Sequence, residues 1–117
     1  MWNTFDKRKF PRIPVKCEVV FEEKNTNPQV VTETENIGEG GVCVILKDSI
    51  APFSKVNIKL KLDETGINTI ECAGKVVWCI RSEVLFQDNA CFDTGVEFLD
   101  IKPKDKELIQ QFIADKV

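Results

Sequence analysis

The stretch Lys7-Arg8-Lys9-Phe10-Pro11-Arg12 sets two arginines, Arg8 and Arg12, around an aromatic side chain. A guanidinium is planar, permanently charged and able to donate two parallel hydrogen bonds, which suits it to holding a phosphate or a guanine edge in a fixed plane. Pro11 lacks a backbone N–H and pushes Phe10 toward extended geometry, so a helix is disfavoured here. In an extended segment Arg8, Phe10 and Arg12 fall on one side, two cations flanking an aromatic anchor. The same pattern describes a solvated basic arm ahead of a strand, and taken alone the stretch leaves both readings open.

A second cluster, Asn36-Ile37-Gly38-Glu39-Gly40-Gly41, gathers three of the six glycines in the chain. Glycine admits positive φ and lets a ligand approach the main chain, and successive N–H groups in such a turn can cup an anion. An ordinary strand connection that needs flexible geometry would look the same.

Chemistry of other kinds is poorly supported. There is no histidine for general acid–base work, and no nucleophile motif surrounds a cysteine or serine, so an enzyme is not expected. The five cysteines form an odd set without a C-x-x-C pair, and a zinc site would have to gather thiolates from scattered strands. Buried free thiols in a reducing compartment are expected instead. Cys43, just after the glycine turn, reads as a redox-sensitive thiol or, more simply, as a buried strand position.

At 117 residues, 43% hydrophobic and 30% charged, the chain has the make-up of one globular domain with one core. Its net charge of −3 does not draw in a nucleic-acid polymer or an anionic membrane, so an anion must be held by a local patch such as residues 7–12. The N-terminus is polar, without a signal-length apolar stretch. The apolar runs at residues 42–46 and 76–80 are too short for a bilayer. The expectation is a cytoplasmic protein with no membrane insertion.

The elements that must position these groups are mostly strands. Val15, Cys17, Val19 and Phe21 alternate with polar residues across residues 13–22, and residues 29–35 supply a β-branched partner after a turn at 23–28. Residues 42–47 form a further strand. Val56, Ile58, Leu60 and Leu62 alternate cleanly before the turn Asp63-Glu64-Thr65-Gly66. Residues 67–81 are long for one strand, and Gly74 in their middle predicts a bulge or a sharp bend. After a loop at 82–90, residues 91–99 place Phe92, Thr94, Val96 and Phe98 on one parity. Leu108, Ile109, Phe112 and Ile113 then recur at helical spacing beyond Pro103. The pattern predicts an all-β fold with a C-terminal helix, a small antiparallel barrel.

Together the two motifs resemble the PilZ domain, a bacterial receptor module for cyclic di-GMP. Arg8-x-x-x-Arg12 is similar to that family's R-x-x-x-R element before the first strand, and Asn36-x-Gly38-x-x-Gly41 to its D/N-x-S-x-x-G element after the second. Gly74-Lys75-Val76-Val77-Trp78 and Thr94-Gly95-Val96-Glu97-Phe98 resemble two of its later strands.

The resemblance implies a six-stranded antiparallel barrel over residues 13–117, preceded by a flexible arm at residues 1–12. Arg8 and Arg12 would hold phosphate and the O6 and N7 acceptors of guanine, with Lys7 where many members carry an additional arginine. Asn36 would bond a guanine edge, and Gly41 would keep the backbone close to the ligand. Trp78 reads as a barrel-core aromatic, its commoner use, or as a surface for base stacking. Gly38 departs from the pattern, since it stands where the family has serine. The missing hydroxyl is worth about 0.5–1.5 kcal/mol, roughly tenfold in affinity at most.

The implied function is a cyclic di-GMP receptor that orders its arm on binding and signals to a partner protein, with no cofactor beyond that ligand. The alternative is a degenerate PilZ-like adaptor that engages a protein partner without nucleotide.

Overall fold

The computed structural model describes residues 12–23 and 29–116. Seven strands and one helix follow in order: β1 (Arg12–Pro14), β2 (Glu18–Glu23), β3 (Gln29–Gly38), β4 (Gly41–Leu46), β5 (Lys55–Lys61), β6 (Thr69–Arg81), β7 (Phe92–Leu99) and α1 (Pro103–Lys116). All pairings are antiparallel, in the order β1-β3-β2-β5-β6-β7-β4, and a further β3–β4 ladder closes the sheet. The result is a closed six-stranded barrel, β2 to β7, with β1 as an added strand. Closure leaves few edges to pair with another chain.

The alternating patterns fill the barrel as expected. Cys17, Val19 and Phe21 point inward with Val56, Ile58 and Leu60, and Val42, Val44 and Leu46 meet Val96 and Phe98. Ile109 and Ile113 of α1 enter the same core, while Leu108 and Phe112 pack against it. Pro103 opens that helix at a position where its missing N–H costs nothing. Gly66 has φ 77°, the positive value its turn requires, and the Asp63 carboxylate accepts from Gly66 N at 2.9 Å, Asn68 Nδ2 at 2.8 Å and Thr65 Oγ1 at 2.8 Å.

Three local expectations need correction. The strand predicted over residues 13–22 is interrupted between β1 and β2. The Thr34 hydroxyl stitches the gap, donating to Val15 O at 2.7 Å and accepting from Cys17 N at 2.9 Å.

The glycine turn does not use left-handed backbone: Gly66 is the one glycine with positive φ among the described residues. What Gly41 supplies is room, because a Cβ there would sit 2.2 Å from the Val96 carbonyl oxygen.

Gly74, finally, is not a bulge. It pairs regularly with Phe98 and Val56, and a Cβ would meet Val96 Cγ1 at 2.6 Å. The irregularity lies further on, between Val76 and Trp78.

That irregularity has a counterpart between Thr34 and Asn36 of β3. In a regular strand, residues three apart face opposite ways. Yet Thr34 and Ile37 are both fully buried against β4, opposite Val44 and Val42. Glu35 is the extra residue that permits this. In β6 the extra residue is Val77, with Val76 opposite Val96 and Cys79 opposite Thr94 on the inner side.

Candidate functional site on the outer barrel face

The two bulges set the chemistry of the outer surface. With Thr34 and Ile37 inward, Asn36 is directed outward, and its register partner on β4 is Cys43. Cys43 pairs in turn with Gly95 of β7, and Gly95 with Trp78 of β6. Cross-strand partners share a face, so Asn36, Cys43, Gly95 and Trp78 form one row across four strands on the outside of the barrel.

Arg12 reaches one end of this row. It pairs with Gly38 in the β1–β3 ladder, and its Nη1 donates to Asn36 Oδ1 at 3.1 Å. Its Nη2 would lie 3.2 Å from a Cβ on Gly41, so the guanidinium lies over the bare main chain of that glycine. One arginine thus joins the first and last members of the Asn36-to-Gly41 motif. A guanidinium is a planar fork of N–H donors, the chemistry that suits an anion or a base edge.

Trp78 occupies the other end. A Cβ on Gly95 would be 2.3 Å from Trp78 Cε2 and 2.4 Å from Nε1, which places the indole flat over that glycine. The core-aromatic reading of Trp78 is therefore corrected: the ring is partly buried on the outer face, and the bulge at Val77 puts it there.

Gly38 is buried within β3. Lys7 and Arg8 lie outside the described residues.

Sequence reasoning missed an acidic pair on this face. Glu35 projects outward beside Asn36, and its Oε2 accepts from Cys43 Sγ at 3.8 Å. Burial, and then the neighbouring carboxyl of Asp93, push the Glu35 carboxyl up to about 7. Asp93 comes from β7, opposite Ile45 of β4 and Ile80 of β6. Its Oδ1 is buried and accepts no hydrogen bond among the described residues. No spacing could have announced the pair, because a bulge and a distant strand bring it together. Cys43 is 1% exposed, in keeping with a buried strand position.

The comparisons agree with this architecture. The PilZ domain profile matches residues 6–115, and the chain belongs to the PilZ domain family. The Bacillus subtilis inhibitor of motility MotI/DgrA superposes with a TM-score of 0.75 at 21% identity, over 94% of this chain and 51% of that one. The PilZ domain of YcgR from Escherichia coli, solved with c-di-GMP, gives 0.72 at 12% identity, over 93% and 90%. The K. pneumonia MrkH–c-di-GMP complex gives 0.75 at 16%, over 94% and 52%. The chain thus spans about half the length of MotI/DgrA and MrkH. No curated protein matches it by sequence. Among the described residues no helix is long and apolar enough to cross a membrane.

Proposed function

We propose that the chain is a cyclic di-GMP receptor that binds the nucleotide across the outer face of β3, β4, β7 and β6. Arg12 and Asn36 take phosphate and guanine edges, Gly41 leaves the approach open, and the Trp78 ring offers a stacking surface. Lys7 and Arg8 complete the grip from the N-terminal segment, and the closed complex presents a surface that a partner protein recognises. The observation that carries the reading is the Arg12–Asn36 hydrogen bond over Gly41, which joins the two motifs in one place. PilZ neighbours solved with c-di-GMP support it by analogy of fold.

The second reading, a nucleotide-free adaptor, is favoured by Gly38 standing in place of serine. Calorimetric titration of cyclic di-GMP separates the two. A wild-type Kd on the order of micromolar or tighter, weakened about hundredfold in an Arg8→Ala, Arg12→Ala double variant, supports the receptor. Equal binding by that variant overturns the assigned grip. No binding by wild type, with binding gained by Gly38→Ser, assigns the chain to the adaptor reading.

A further inference from the structure

We propose that Glu35 and Asp93 share a proton beside the nucleotide face, and that binding of the anionic ligand is coupled to protonation of this pair. The inference rests on the receptor reading above and adds a regulation to it.

The argument begins with satisfaction of polar groups. Asp93 Oδ1 is buried without a hydrogen-bond donor among the described residues, and the group against it is another carboxyl, Glu35. Two carboxylates can only accept, so bringing them together in a partly buried place leaves both unsatisfied and repelling. One proton between them removes the repulsion and supplies the missing donor.

Among the described residues neither carboxyl has an ion-pair partner, and the positive charge of the amino terminus, which lowers the Glu35 carboxyl, is outweighed by burial and by Asp93. From β4 the group facing Glu35 is the Cys43 thiol, which donates to it. Ile45 on β4 and Ile80 on β6 flank Asp93, and Gly95 and Trp78 continue the face. Lys75 and Glu97 lie further along and pair with each other at 3.7 Å. Arg12, from β1, is engaged by the adjoining Asn36. The elevated Glu35 carboxyl agrees with this geometry and brings the titration into the neutral range.

The coupling follows from position. Glu35 is the immediate chain neighbour of Asn36 and is turned to the same face by the bulge. A cyclic dinucleotide carries two phosphate charges, and an ionised pair next to them opposes binding, whereas a singly protonated pair opposes it less. By linkage the complex takes up protons as it forms, and affinity weakens as pH rises through the titration of Glu35.

The test is calorimetric titration of cyclic di-GMP into the full chain at pH 6, 7 and 8, in two buffers of different ionisation enthalpy. Wild type should bind about threefold or more weakly at pH 8 than at pH 6, with a buffer-dependent heat that reports proton uptake. Glu35→Gln should keep its pH 6 affinity at pH 8 and lose most of the buffer dependence. Asp93→Asn, which also leaves a hydrogen-bond donor in place, should flatten the profile in the same direction. Wild-type binding that is equal at all three pH values overturns the proposal and leaves the receptor reading intact. A slope that persists unchanged in both variants likewise overturns it. Absence of binding at every pH overturns the receptor reading, and the coupling with it.

Discussion

The Asn36 carboxamide and the Trp78 indole face the same side of the barrel because each directly follows a one-residue bulge, at Glu35 and at Val77 respectively. Thr34 and Ile37 on either side of the β3 bulge, and Val76 before the β6 bulge, stay fully buried, so the outer face gains polar and aromatic chemistry without a shift of the core.

Gly41→Ala should destabilise the fold and the site together. Its methyl group would stand 2.2 Å from a backbone oxygen of β7, which cannot rotate away, and 3.2 Å from Arg12 Nη2. A loss of about 1–3 kcal/mol is expected from such overpacking. Urea unfolding measures it, with Gly40→Ala as a control, since a Cβ there meets nothing within 4 Å.

Gly95 and Trp78 should behave as a coupled pair. Gly95→Ala places a methyl inside the Trp78 ring contact and should cost about 1–3 kcal/mol. In a Trp78→Ala background the three nearest atoms are removed, and the same change should cost far less. A double-mutant cycle by thermal or urea unfolding should give a coupling of about 1 kcal/mol or more. Additivity would show that the ring does not cover that glycine in solution.

Stability should fall as pH rises between about 5 and 7, where Glu35 titrates in the folded protein. The sign follows from its raised folded value: in that window the native state holds a proton that the unfolded chain has already released, so raising pH favours unfolding. Glu35→Gln should remove this component and gain most over wild type above pH 7. Urea midpoints at pH 5, 6 and 8 for both proteins provide the check. A wild-type curve parallel to that of the variant would contradict it.

Cys72 should react slowly with iodoacetamide at pH 8. Burial first, and the charge of Asp105 second, raise its thiol to about 11, so only about one molecule in a thousand carries the thiolate. Mass spectrometry should show protection of Cys72 in the native chain and full labelling in urea.

Much of this fold is legible from alternation alone. Residues 56–62 and 92–98 keep strict period two, and their apolar sides are the ones the barrel buries. The helix is equally plain from Leu108, Ile109, Phe112 and Ile113. The candidate site was legible as two motifs, of which the structure brings Arg12, Asn36 and Gly41 together.

What stayed hidden has one cause. A bulge changes which way a side chain points without changing composition, so neither the outward turn of Trp78 nor the role of Val77 shows in the residues. Gly74 drew attention because it is a glycine, yet its function is close packing against Val96 and Ile58. The meeting of Glu35 with Asp93 depends on the β3–β4–β7 register, which alternation within any single strand does not reveal.

The bulge at Glu35 also makes length a variable of the surface. If one residue were removed there, Thr34 and Ile37 would still fall inward and Asn36 outward, now by plain alternation. The barrel would close as before, and only the carboxyl crowded beside the carboxamide would be gone. At this point in the chain an insertion or deletion is a substitution in disguise, able to reset the charge of the outer face while the core keeps its register.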